Sequence, residues 1–179
     1  MRAKTRNQGN VKLIAGALAF VFLVIGIFVG NSISGYYVYQ VDMNVADLPS
    51  TSTDGFTEVG ISIAPMEILL TGSCRRMSVM TSAEQIASID LAIRRMEAPR
   101  PLAHDIITNE MKVFGIEVLM VKIHSLEDGI YYSNIIFRQN NKVLQMDSKP
   151  SDAVAIALRM NAPVYVSDDL LKAEGKAVC

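Results

Sequence analysis

The chain has 179 residues, half of them hydrophobic, and a formal net charge of −1. With the first stretch of roughly 36 residues set aside, roughly 140 remain, which is room for one domain with a real core and too little for two. All 18 acidic residues and 13 of the 17 basic ones lie in that remainder, so its net charge is −5 and a globally basic nucleic-acid footprint is excluded.

In chain order, residues 1–12 form a basic tail carrying Arg2, Lys4, Arg6 and Lys12, and Leu13 to Gly30 follows without a charge. At about 1.5 Å per residue that run matches a hydrocarbon core of about 30 Å, so residues 13–35 read as a transmembrane anchor with a short linker. A cleaved secretory signal is the competing reading. Its apolar region would stop after about 7 to 15 residues, before a small-x-small site, and Asn31-Ser32-Ile33-Ser34-Gly35 offers no convincing one. Tyr36, Tyr37 and Tyr39 suit the membrane interface. The basic tail places the N-terminus in the cytoplasm and the domain at 36–179 outside it. Gly26 and Gly30 form a GxxxG, a weak signal for helix pairing.

Val38 to Val45 mixes apolar and polar residues as an extended segment does, and Leu48 to Gly55 is a polar loop. Glu67 to Leu70 and Met77 to Met80 flank Thr71-Gly72-Ser73-Cys74 and predict a hairpin. From Ser82 the period changes: Ile86, Ile89, Ile93 and Met96 lie on one helical stripe, with Ser82 as cap and Glu84 in the first turn. Pro99 and Pro101 end that helix, and a second follows with Ile107, Met111 and Phe114 on one face and Gly115 as its stop.

Leu119, Val121 and Ile123 alternate with Met120, Lys122 and His124, which predicts a strand with Lys122 and His124 on its surface. Turns at Glu127-Asp128-Gly129 and Asn140-Asn141 join it to two further strands in an antiparallel meander. Ala153 to Met160 is apolar nearly all round and predicts a buried helix, capped by Ser151 or Asp152. A last strand at Pro163 to Val166 and a terminal helix capped by Ser167-Asp168-Asp169 complete an α+β pattern: an antiparallel or mixed sheet with packed helices behind one N-terminal transmembrane helix.

No GxSxG, P-loop, HExxH or CxxC occurs. Cys74 and Cys179 form neither a disulfide framework nor a metal pattern; they could pair outside the cell, and two unpaired thiols is the expectation. Three polar clusters remain. Arg100 to Asp105 places a base, His104 and Asp105 at a helix start, where an acid also complements the helix dipole. Asp147-Ser148-Lys149-Pro150-Ser151-Asp152 runs from a strand end into the buried helix. Capping explains one of its residues, and two carboxylates beside a helix N-terminus could hold Mg²⁺ or a phosphate-bound cation. Ser82-Ala83-Glu84 is the third, and ordinary capping accounts for it.

These segments, RPLAHDIITNEMKVFGIEV, EDGIYYSNIIF and MDSKPSDAVAIALRMNAPVYVSDDLL, closely resemble the bifunctional nuclease domain family, strongly over Glu97 to Leu171 and loosely over Val38 to Met96. The resemblance implies a compact α+β domain, often assembled into homo-oligomers, that acts on DNA or RNA. It carries over the motif positions His104, Asp105, Asp147, Lys149, Ser151 and Asp152. This chain has Ala103 where the family usually has Thr, Lys149 where it has Arg, and Gln85 where it has Ala.

The expectation is therefore a nuclease tethered to a membrane through residues 13–30. Its catalytic residues would be His104, Asp105, Asp147, Lys149 and Asp152, and its substrate contacts Arg100 and Ser151. A divalent cation, Mg²⁺ by its oxygen ligands, would sit at Asp147, Asp152 and Glu84 and activate water. The alternative is a non-catalytic ligand-binding or oligomerisation domain of the same fold.

Overall fold

A computed structural model describes residues 51–179. The basic tail at 1–12, the anchor and linker at 13–35, the interfacial tyrosines and the extended segment at 38–45 lie outside the described residues. Among the described residues no helix is long and apolar enough to cross a membrane.

Among the described residues nine strands and four helices follow in chain order: β1 (Phe56–Glu58), β2 (Gly60–Ala64), β3 (Glu67–Gly72), β4 (Arg75–Met80), α1 (Ala83–Ile93), α2 (Ala103–Val113), β5 (Glu117–Glu127), β6 (Ile130–Gln139), β7 (Lys142–Ser148), α3 (Pro150–Met160), β8 (Val164–Ser167), α4 (Asp168–Glu174) and β9 (Lys176–Ala177). They form a five-stranded sheet in the order β1-β8-β5-β6-β7 and a four-stranded sheet in the order β2-β3-β4-β9. Every pairing is antiparallel except β5 with β8.

The predicted meander is present. Its turns are two residues long, with Asp128 and Gly129 both at positive φ in the first and Asn140 in the second, as tight hairpins require. The expected Cys74 turn is tighter than its four-residue reading: β3 and β4 continue to Gly72 and Arg75, leaving Ser73 and Cys74 alone at the tip. Here the structure overturns the expectation of free thiols. Cys74 and Cys179 form a disulfide with Cα atoms 5.2 Å apart, and β9 pairs with β4 beside it.

One core cluster joins the inner faces of both sheets through Ile68, Leu70, Val121, Ile123, Val164 and Val166. Into it sinks α3, whose Ala153, Val154, Ala155, Ile156 and Ala157 are all buried, as its apolar sequence predicts. Three alanines on one short helix let neighbours approach closely, and α3 packs against α1, α2, β5 and β6. It is therefore the element that locates α1 and α2.

Three expectations change on folding. The stripe of α1 holds at Ile86 and Ile89, but Ile93 and Met96 are exposed because the helix stops at Ile93. On α2, Ile107 and Phe114 face outward; Asp105 and Thr108 are the buried residues instead. Lys122 is buried, not on the surface. It lies on a central strand, where the segment before β1 covers it: its Nζ donates to the Ser52 carbonyl and sits 4.8 Å from the Phe56 ring centre.

Candidate functional site

The facing edges of α1, α2 and α3 carry a continuous polar seam. Its residues are spaced so that each helix presents one face: Gln85 and Ser88 on α1, His104, Asp105 and Thr108 on α2, and Asp152 and Arg159 on α3.

The α1 end is fixed by a capping box. Ser82 Oγ accepts from the Gln85 amide and Gln85 Oε1 accepts from the Ser82 amide, each at 3.3 Å. This anchors the Gln85 side chain, whose Nε2 donates to Asp152 Oδ1 at 3.1 Å. Glu84, beside it, is exposed; its own backbone amide and the Ser82 hydroxyl hold its carboxyl below the usual carboxylate range.

At the α2 start, Asp105 Oδ2 accepts from the Leu102 amide at 2.8 Å, and Leu102 has no side-chain acceptor to return the bond. The other oxygen, Oδ1, accepts from Arg159 Nε at 2.7 Å, and both side chains are almost fully buried, at 6% and 8% exposure. Burial alone would raise the Asp105 carboxyl. The Arg159 hydrogen bond and charge, the Leu102 amide and the neighbouring His104 outweigh it and hold the group below its ordinary value. The rest of the guanidinium is also engaged, donating to the Ala155 carbonyl at 3.0 Å and to the carbonyl and hydroxyl of Ser88 at 3.2 and 3.1 Å.

Ser88 passes the seam to His104. Its hydroxyl lies 3.0 Å from His104 Nδ1, and on the ring's other side Nε2 lies 3.4 Å from Asp152 Oδ1. Exposure rises in the same direction: His104 is 15% exposed and Asp152 37%. The imidazole is thus held at one nitrogen by a buried hydroxyl and faces, with the other, a carboxylate at the solvent edge. That geometry is able to hold or move a proton.

Asp152 stands in the first turn of α3. The residue before that helix is Lys149, in extended conformation, and Pro150 occupies the first helical position. Neither Ser151 nor Asp152 is the N-cap. Pro150 lacks an amide hydrogen and has a preset φ, so it starts the helix two or three residues earlier than Ser151 or Asp152 as cap would. Ser151, expected at the substrate, is buried in the first turn of α3. Asp147 is exposed on β7, opposite Asn134, and Lys149 and Arg100 are exposed without engaging another described side chain. The structure thus joins His104, Asp105 and Asp152 and leaves Asp147, Lys149 and Arg100 free at the surface.

The expected cation ligands Glu84, Asp147 and Asp152 do not gather: among the described residues no group of three His, Cys, Asp or Glu side chains is placed to hold a metal ion. One oxygen of Asp152 already serves Gln85 and His104.

Ser88, Gln85 and Arg159 belong to the seam although their residue types gave no functional signal. The sequence does space Asp152 and Arg159 seven apart and Gln85 and Ser88 three apart, as side chains on one helical face. A pocket of about 250 Å³ adjoins the Asp105–Arg159 pair between the three helices, and neither His104 nor Asp152 lines it.

Comparison with known proteins places these residues in a family context. The profile of the bifunctional nuclease domain matches residues 68–178, more than half of the chain. An uncharacterized protein of Mycobacterium tuberculosis is 37% identical over 101 residues, covering 56% of this chain and 60% of that protein. Bifunctional nuclease 1 of Oryza sativa subsp. indica is 29% identical over 79 residues, 42% of this chain and 24% of the rice protein. Bifunctional nuclease 2 of Oryza sativa subsp. japonica is 26% identical over 87 residues, 47% and 27%. The chain thus spans less than two thirds of the mycobacterial relative and about a quarter of the rice ones.

Proposed function

Because the chain belongs to the bifunctional nuclease domain family, we propose that it hydrolyses phosphodiester bonds of DNA or RNA at the outer end of the seam. The observation that carries this reading is the placement of His104 Nε2 against Asp152 at the N-terminal end of α3. A phosphodiester bound there meets the positive end of a helix dipole and the Lys149 ammonium, both of which favour an anion. The His104–Asp152 pair then takes a proton from the attacking water or returns one to the leaving alkoxide. Gln85 holds the carboxylate and Ser88 holds the ring, so neither group has to be oriented during the reaction.

The names of the rice relatives support a substrate of nucleic acid. The test is cleavage of single-stranded DNA and RNA by the purified full-length chain, with Asp152→Asn and His104→Gln alongside. Cleavage that both substitutions abolish is expected, and undiminished cleavage in either would refute the site. No cleavage of any substrate would leave the ligand-binding alternative, to which the burial of Asp105 against Arg159 lends weight. A parallel series with chelator and added Mg²⁺ measures the cation requirement.

The membrane tether at 13–30 is part of the same proposal, with the N-terminus cytoplasmic and the domain outside. The Cys74–Cys179 disulfide supports that side, since such bonds persist in oxidising compartments. Protease added to intact cells is expected to digest the domain, and full protection would reverse the orientation. The exposed Ile106, Ile107, Val113 and Phe114 of α2 support a homo-oligomer, which light scattering would detect.

A further inference from the structure

The three seam helices end in the same way and differ in one residue. The hydrogen bonds Met96 N to Leu91 O at 2.9 Å, Ile116 N to Met111 O at 2.8 Å and Ala162 N to Ala157 O at 2.9 Å close each helix with a six-to-one bond. Such an ending requires one residue in the left-handed region, where glycine is favoured. In α2 that residue is Gly115, at φ +66°. After α1 it is Arg95, at φ +55°, and after α3 it is Asn161, at φ +53°.

Every other non-glycine residue at positive φ among the described residues lies in a hairpin turn, where the turn type imposes it. At the two helix ends glycine would serve, as it does in α2. Asparagine tolerates the conformation; arginine gains nothing from it. A side chain kept at a backbone cost points to a use for that side chain.

Both residues line the pocket of about 250 Å³ beside Arg159. Lys112 and Asn109 of α2 line it as well. The side chains of Arg95, Asn109, Lys112 and Asn161 make no hydrogen bond or ion pair to any described residue, whereas Arg159 is held by Asp105. Lysine, arginine and two carboxamides around one concavity provide two positive charges and several N–H donors. Glu97 is the one unpaired acid on the wall, and the Asp105 charge is offset by Arg159.

Helix C-termini ordinarily repel anions through bare carbonyls. Here Leu91 and Ala157 have their carbonyls capped by the six-to-one bonds, and Ala92 and Leu158 accept from the amides of Arg95 and Asn161. We infer that this pocket is a binding site for a phosphate group, gripped by Arg95 and Lys112 with Asn109 and Asn161 as hydrogen-bond donors. It is separate from the His104–Asp152 pair and does not depend on cleavage there. In a domain of net charge −5 it is a local cationic site.

The test titrates inorganic phosphate into the ¹⁵N-labelled full-length chain at constant ionic strength. Saturable shifts at Arg95, Asn109, Lys112 and Asn161 are expected, and Arg95→Gly or Lys112→Gln should weaken binding about tenfold, as loss of a charge-assisted hydrogen bond does. The melting temperature of Arg95→Gly should stay level or rise, because glycine adopts the left-handed position freely. Further arms with a 5′-mononucleotide and a single-stranded oligonucleotide identify the source. Equal affinity for mononucleotide and phosphate marks a free phosphate group, and tighter oligonucleotide binding that Arg95→Gly also weakens marks a strand. Equal shifts with chloride would overturn the inference. So would wild-type affinity in Arg95→Gly, whatever its melting temperature.

Discussion

His104 and Asp105 are neighbours in sequence and opposites in structure. Asp105 is buried, with one oxygen on a guanidinium and the other on a backbone amide. His104 looks outward to a half-exposed carboxylate. Adjacent positions on a helix point about 100° apart, so one turns into the bundle and the other toward its edge. The difference separates two roles that a shared motif conceals: the inner end of the seam holds the helices together, and the outer end is open to chemistry.

The largest effect expected at the inner end comes from Arg159→Met. It leaves Asp105 buried without its cation, and urea denaturation should show a loss of about 3–5 kcal/mol. A loss below about 1 kcal/mol would show that the pair is not buried in solution. At the outer end, His104→Ala should lower cleavage by about 10²–10⁴-fold, the usual contribution of a proton-transfer group, while changing stability far less than Arg159→Met does. If the two substitutions reduced stability equally, the division between the ends would fail.

The pH dependence sharpens the same contrast. The folded-state pKa of Asp105 lies below its unfolded value, so its contribution to stability is fully present above about pH 4 and is lost as pH falls through the folded value. Acid titration of stability should therefore be steeper in the wild type than in Asp105→Asn, by up to one proton. Equal slopes would mean that the carboxylate gains nothing from folding. A smaller effect than that of Arg159→Met belongs to Gln85→Ala, which removes the hydrogen bond to Asp152 together with the capping-box acceptor of the Ser82 amide and should cost about 1–2 kcal/mol. Its larger signature is in cleavage, through a less ordered Asp152.

Much of the fold was legible because its signals are local. Ser82 caps α1 as expected, Ser167 is the cap within the expected Ser167-Asp168-Asp169, and the meander turns fall where Asp128-Gly129 and Asn140-Asn141 stand. Exposure was less legible. Of the apolar stripe predicted for α2 only Met111 packs against the core, while Ile107 and Phe114 face outward and Asp105 and Thr108 are the buried residues, Asp105 meeting Arg159. Lys122 was placed on the surface by alternation alone, yet the central position of β5 and the segment before β1 enclose it.

By itself the sequence determined the order of the four helices and of β3 to β8, the burial of α3 and the family motifs around His104 and Asp152, while the short β1, β2 and β9 gave no such signal. Periodicity, capping and turn chemistry act over a few residues and are written directly in the chain. Only the tertiary structure decided that Cys74 meets Cys179 across 105 residues, that β8 enters the sheet between β1 and β5, and that Arg159 links Asp105 to Ser88 and so to His104. Those contacts join distant segments, and which segments meet is set by how four helices and two sheets share one core.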